Sequence, residues 1–262
     1  MLAQWTGWGA AAKLFDTDDT TLAAARERLA RFFDDEAWAA AKRSILNAHF
    51  TDPAITTAMW SLVEATGFDG GRVLEPGCGT GLFIGTAPPL LREASWFVGV
   101  ELEPVTAKVA ALLYPEADVR SMGFENVRDV NGSFDAAIGN VPFGKYPLFD
   151  PLHNPDGLSI HNHFLAKSLA LTKPGGVVAM VTSRYTLDSR NPAARRLLAS
   201  YGDLVGAIAN ELQVDASVVG AIQIQDKFSI VEVPDEIADD IIDALRNTTI
   251  KGKRVIVRRE RD

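Results

Sequence analysis

Val73-Leu74-Glu75-Pro76-Gly77-Cys78-Gly79-Thr80-Gly81 is a short apolar strand that runs straight into a turn with three glycines. Glycine turns tightly and lets a ligand come close to the backbone. A helix-forming stretch begins directly afterwards at Leu82. Strand, glycine turn and helix in that order open a βα unit and place the chain among α/β folds with a parallel sheet.

Downstream the alternation continues. Strands are expected at 72–75, at 96–101, from Val119, at 134–139 and at 176–182. Helices are expected between them at 82–93, 104–114 and 160–171, and after the last at 192–200, with Pro88-Pro89 interrupting the first. The result is a doubly wound, parallel sheet. Upstream, residues 1–50 read as helical, because 20–30 and 36–48 are rich in Ala, Arg, Leu and Glu. Asp34 or Asp35 is placed to cap the second of these helices. A further helix is expected over 53–66, with Asp52 as N-cap, Pro53 in the first turn and Gly67 as the stop. After about Tyr201 the pattern changes. Runs at 218–225 and 228–233 alternate like strands. An amphipathic helix over 234–246, capped by Asp235, carries Ile237, Ile241, Ile242 and Leu245 on one side, and a last strand is expected at 255–259. Three regions are therefore expected: helical (1–66), α/β core (67–203) and a small α+β unit (204–262).

The chain has 262 residues, room for one large α/β domain and a small appendage. No run approaches twenty apolar residues, so no membrane span is expected, and the start at Met1 has no signal-peptide pattern. The single Cys78 excludes an internal disulfide and a multi-cysteine metal site, and fits a reducing cytoplasmic compartment; no metal is expected. The net charge of −8 argues against a generally basic nucleic-acid surface. Charge is uneven, however: residues 251–262 carry +4, which suits either local phosphate contact or a solvated terminal strand.

In the glycine turn the third glycine follows the second by two residues, unlike the dinucleotide pattern GxGxxG. Glu75 just before the glycines suits a ligand with a positive ammonium group. Glu101, at the end of Val98-Gly99-Val100-Glu101, can accept both hydroxyls of a ribose. Ammonium plus ribose describes S-adenosylmethionine better than a nicotinamide dinucleotide. The second site-forming stretch is Asn140-Val141-Pro142-Phe143, at the end of the strand Phe134-Asp135-Ala136-Ala137-Ile138-Gly139. Asn140 offers an acceptor, Pro142 holds Val141 extended, and Phe143 offers a stacking face. Such a set can hold a flat ring bearing an amine.

Together these residues resemble the motifs of the N6-adenine DNA methyltransferases, over roughly residues 1–203 and in the order where cofactor motifs precede the catalytic one. The resemblance implies a Rossmann-like S-adenosylmethionine-dependent methyltransferase core. It assigns the cofactor to Glu75, Gly77, Gly79, Gly81 and Glu101. His49-Phe50-Thr51-Asp52-Pro53 resembles the family's Tyr/Phe-Thr-Pro element, which carries Thr51 to the cofactor's methionine end and leaves Asp52 as an extra residue. Gly123-Phe124-Glu125 stands where the family often has an acid and Phe around the cofactor adenine; Gly replaces the acid, Phe124 carries over, and Glu125 is a substitute. Asn140, Val141, Pro142 and Phe143 match the catalytic element, with Val141 in place of the commoner Pro. The resemblance implies DNA adenine as target, flipped out of the duplex. Adenine in RNA or glutamine in a protein is the alternative. The same spelling is similar to methylase domains within large phage- or plasmid-borne proteins that also hold helicase domains, so a helicase or recognition partner is implied.

Residues 204–262 resemble something else. Asp203-Leu204-Val205-Gly206-Ala207-Ile208, Val219-Gly220-Ala221-Ile222-Gln223-Ile224 and Phe228-Ser229-Ile230-Val231-Glu232-Val233 are similar to the RNA-binding, RRM-like domain of DbpA-like DEAD-box helicases. The first strand of that fold is missing, which implies an incomplete RRM-like unit and a fusion through the segment around Leu204, either strand or helix. An RNA partner is implied for this unit. If it alone were functional, the chain would be a nucleic-acid-binding module with an inactive core. Three other features admit a bland reading. His161-Asn162-His163 contains the letters of a nuclease motif but lies at a helix start, Cys78 reads as a small spacer, and Trp5, Trp8 and Trp38 read as helix packing.

Overall fold

The computed structural model describes residues 8–45, 51–188, 192–200, 222–224, 229–231, 233–246, 249–250, 253–254 and 256–259. Its centre is a five-stranded parallel sheet in the order β3-β2-β1-β4-β5. The strands are β1 (Gly71–Pro76), β2 (Ser95–Glu101), β3 (Asp118–Ser121), β4 (Phe134–Asn140) and β5 (Thr172–Val181). This is the Rossmann-like order, in which the chain winds outward from β1 in one direction and then crosses to the other side. β1 and β4 are buried on both faces, as their continuous apolar runs require. One apolar cluster, including Leu74, Val100, Phe134 and Leu171, lies on the α7 (Ile160–Leu171) side. The other, including Trp60, Val73, Phe83 and Ile138, lies on the side of α3 (Pro53–Ala65) and α4 (Leu82–Thr86).

The helix signals work locally. Asp52 accepts from Ala54 N at 2.8 Å and Pro53 opens α3, while Gly67 leaves it at φ 90°. That explains the extra Asp52: it caps the helix, at about 1 kcal/mol. Asp34 caps α2 (Asp35–Ser44) through Ala37 N at 2.7 Å. Pro88 separates α4 from α5 (Pro89–Glu93), and α6 (Pro104–Leu113) follows β2. Ahead of them, α1 (Ala23–Ala30) follows two 3₁₀ turns. Trp8 and Trp38 pack with Phe15 and Phe33 into an aromatic cluster that reaches Val105 on α6. Trp5 lies outside the described residues.

Two boundaries differ from expectation. β5 begins at Thr172, not at Gly176. The register shifts between Phe134 and Ala136, so residues 173–176 bulge and Lys173 pairs with Asp135. Pro174 is tolerated because β5 is the last strand of this sheet among the described residues, where a missing donor costs least. In the tail, β6 (Ile222–Ile224) pairs antiparallel with β7 (Ser229–Val231), and α10 (Asp235–Arg246) follows. Expected at 255–259, the last strand lies instead at β9 (Lys253–Arg254), paired with β8 (Thr249–Ile250). The two pair antiparallel, Thr249 opposite Arg254 and Ile250 opposite Lys253, and Arg259 turns to Asp235 and Asp239 on α10. Part of the tail's basic charge is thus used within the chain. The segment around Leu204 lies outside the described residues. Between β5 and that segment lie a short α8 (Tyr185–Asp188) and a helix α9 over 193–200.

Candidate active site

In an open parallel sheet, ligands bind beyond the carboxyl ends of the strands where the winding reverses. Here that point lies between β1 and β4. The glycine turn leaves β1, and Asn140-Val141-Pro142-Phe143 leaves β4. A methyl-sized group built on Gly77 would touch Pro142 at 3.6 Å and the Asn140 carbonyl oxygen at 3.9 Å. Two stretches far apart in sequence are therefore in van der Waals reach.

Gly77, Gly79 and Gly81 all have positive φ, at 67°, 56° and 76°. The turn needs glycine for that reason. At Gly81 a side chain would also strike the Tyr114 ring. Cys78 is buried with its sulfur against Gly99, and its N–H donates to Val100 O at 2.9 Å, so it acts as a spacer between β1 and β2.

Glu75 is 3% exposed. Its carboxylate faces the first turn of α4 and accepts weakly from Phe83 N at 3.4 Å and Ile84 N at 3.3 Å. Burial pushes its pKa up to about 8, beyond what those two N–H groups offset, and the Glu101 charge adds to the rise. Glu101 ends β2 and accepts from Gly79 N at 2.9 Å and from Glu103 N at 2.8 Å. Burial raises its pKa as well. A carboxylate has about four acceptor positions, so these two bonds leave it able to accept from a hydroxyl as well. The Gly79 bond also ties the end of β2 to the glycine turn.

Phe124 is 2% exposed and packs on Phe164 with ring centroids 4.8 Å apart. Its ring belongs to the core, and it holds the 3₁₀ turn Phe124–Asn126 in place. A side chain on Gly123 would collide with the Glu125 carboxylate. Glu125 therefore fills the space that the missing acid would occupy, from two residues further on.

Asn140 is the last residue of β4 and half-buried. Val141 donates its N–H to Val181 O at 3.1 Å and buries its side chain in the core. It anchors the tetrapeptide rather than facing a ligand, which is why an apolar β-branched residue serves there. Phe143 is partly buried against the same cluster. The next residue, Gly144, has its carbonyl 3.1 Å from His161 Nδ1, so His161 pins the loop beyond the tetrapeptide. Thr51 lies directly ahead of α3. That helix is fastened to α4 by Trp60 Nε1 to Phe83 O and by Thr56 to Thr86, both 2.9 Å, while His49 and Phe50 lie outside the described residues.

The loop after the tetrapeptide holds residues that sequence reading passed over. Phe149 is 87% exposed and Tyr146 44%, yet Asp150 beside them is buried. Aromatic rings spaced along Lys145-Tyr146-Pro147-Leu148-Phe149 were the available signal.

Residues 195–259 match the family model of the DbpA RNA binding domain, a match that opens inside α9. Over 167 residues the chain is 29% identical to defense against restriction protein B of Escherichia phage P1, covering 62% of this chain and 7% of that protein. It is 31% identical over 149 residues to a type II methyltransferase of Thermus thermophilus, covering 50% of this chain and 33% of that one. It is 24% identical over 152 residues to an rRNA N(6)-adenosine-methyltransferase of Caenorhabditis elegans, covering 55% and 66%. The resemblance read from the motifs is borne out. The chain spans between 7% and 66% of these relatives' own length. Among solved structures, a type I restriction-modification methyltransferase subunit from Streptococcus thermophilus gives a TM-score of 0.46 at 16% identity, over 66% of this chain and 44% of that one. S-adenosylmethionine is the methyl donor that the fold and the relatives imply. The open glycine turn, the remaining acceptor capacity of Glu101 and the buried Glu75 fit it.

Proposed function

We propose that this chain is an S-adenosylmethionine-dependent methyltransferase that methylates the N6 amine of adenine in DNA, by direct transfer to a flipped-out base. One observation carries the reading: the glycine turn and Asn140–Phe143 pack against each other at the switch point of the sheet. When bound, the cofactor supplies a methyl group on a sulfonium centre. Glu101 holds the ribose through its remaining acceptor capacity. Gly77 and Gly79 leave room beside the turn, Gly81 lets it close against Tyr114, Glu75 takes the ammonium, Glu125 takes the adenine amine beside the 3₁₀ turn that the buried Phe124 holds in place, and Thr51 supports the methionine end.

Adenine N6 is a poor nucleophile because its lone pair is conjugated with the ring. Asn140 Oδ1 accepts one amino hydrogen and a carbonyl of Val141 or Pro142 accepts the other, which favours a pyramidal nitrogen with a free lone pair. Phe143 stacks on the base. The catalysis is positioning and electrostatic, without a covalent enzyme intermediate.

RNA is the second reading, favoured by the RNA-binding family match over 195–259 and by the rRNA-modifying relative. The deciding experiment is transfer of a tritiated methyl group to duplex DNA, single-stranded DNA, RNA and protein in parallel. Label in duplex DNA supports the first reading and label only in RNA the second, whereas no binding of S-adenosylmethionine by calorimetry overturns both. Glu101→Gln is expected to weaken cofactor binding by about tenfold, because a hydroxyl donates more strongly to a charged acceptor. Phe149→Ala is expected to raise the KM for nucleic acid by about tenfold with kcat unchanged, since stacking on one base contributes about 1–3 kcal/mol. An unchanged KM would remove Phe149 from the target surface.

A further inference from the structure

Lys167 on α7 is fully buried, and so is its partner Asp150, in the loop that follows the tetrapeptide. Buried charges are retained only with good partners. Lys167 Nζ has three: Asp150 Oδ2 at 2.8 Å, Val127 O at 3.1 Å and Glu125 O at 3.3 Å. It also sits 5.2 Å from the centre of the Phe124 ring. Its three protons thus divide between two loops, one carrying Phe124 and Glu125 and one continuing from Asn140–Phe143. Asp150 is held from several sides as well. His163 Nε2 lies 3.0 Å from Oδ2, and His153 N donates to Oδ1 at 3.2 Å. His153 Nε2 reaches Asn131 Oδ1 at 2.9 Å, a second strut between the same two stretches of chain.

Burial drives Asp150 up, but the hydrogen bonds from Lys167 and His163 outweigh it and hold the carboxyl well below the usual range. Burial lowers His163, which therefore stays neutral and donates from Nε2. The cluster is one carboxylate, one ammonium and a neutral imidazole, with no net charge at neutral pH.

An apolar contact would stabilise the two loops with less desolvation cost. A three-way directional bond does something an apolar contact does not, because it fixes the separation of the loops. We propose that Lys167, Asp150 and His163 form a clamp that couples the cofactor-adenine loop to the target-base loop, so that filling the cofactor site orders the surface that receives the base. The clamp rests on the methyltransferase reading of those two loops. Lys167 touches no reacting atom and acts as a positioning residue.

The test is hydrogen–deuterium exchange on the full chain, with and without S-adenosylhomocysteine. In the wild type the ligand should slow exchange at 77–81 and also, by about fivefold or more, at 144–158. Lys167→Met leaves a buried carboxylate without its ammonium partner and can unfold the chain, so the main variant is Lys167→Met with Asp150→Leu, an apolar replacement of a kind that is often neutral for stability. In that variant protection at 77–81 should persist and protection at 144–158 should disappear. Equal protection at 144–158 in the wild type and the variant, or none in the wild type despite protection at 77–81, overturns the clamp. No protection at 77–81 in the wild type overturns the cofactor reading, and the clamp with it. A merely structural pair would instead raise exchange throughout the variant, with or without ligand.

Discussion

Replacing Asn140 by alanine lowers the rate of methyl transfer by about 10²–10³-fold, the range seen when one preorganised polar contact to the transition state is removed. Cofactor binding stays within about twofold of wild type, because Glu75, Glu101 and the glycine turn are untouched. The separation of the two effects follows from the fold. The tetrapeptide is held by its neighbour, since Val141 N–H donates to Val181 O and its side chain lies in the core. Asn140 itself is half-buried at the last position of β4, so shortening it leaves that anchor in place. Single-turnover methyl transfer and calorimetry with S-adenosylhomocysteine on the same preparation measure both quantities. A rate within threefold of wild type would show that Asn140 does not receive the amine hydrogen. A loss of cofactor binding in step with the rate would make Asn140 part of the cofactor pocket instead.

Features with short-range causes could be read from the sequence. Asp52-Pro53 and Asp34 mark helix starts because a cap needs only its own next residues. The glycine turn announces positive φ for the same reason. The carboxylates at strand ends could be placed because the strand period is short and the sheet parallel. What escaped was made through space. Lys167 and His163 lie four apart on α7 and so share a face, a spacing visible in the sequence. Their partner Asp150 lies in an irregular loop, and nothing local marks a lysine in an apolar helix as buried. Glu125 could be named as a substitute for the acid missing at Gly123, but the position of its carboxylate over that glycine could not be read. The start of β5 was misplaced because Pro174 and two glycines imitate a turn, while the bulge opposite Asp135 lets the pairing resume beyond them.

Cofactor affinity is expected to rise between pH 6 and pH 8, by at most about tenfold per unit, and Glu75→Gln is expected to abolish that rise. Burial holds the Glu75 proton on the free protein until about pH 8. An ammonium group beside it favours the carboxylate, so binding below pH 8 must expel that proton, and affinity grows as the proton becomes easier to lose. Above about pH 8 the ligand's own α-amino group deprotonates, so affinity falls again and the profile is a bell. Burial raises Glu101 as well. The Gln variant assigns the rise to Glu75, since Glu101 is unchanged in it. Stability moves the other way. The unfolded chain loses this proton near the ordinary glutamate value of 4.5 and the folded chain near 8, so the folded state's advantage is complete below the first and lost as pH rises through the second. At pH 9, urea unfolding should therefore find Glu75→Gln more stable than wild type by about 2–4 kcal/mol, even though it binds cofactor less well. A residue that costs stability where it helps binding is retained for its ligand. A flat binding profile in the wild type, or a Gln variant no more stable than wild type at pH 9, would reduce Glu75 to a cap on the first turn of α4.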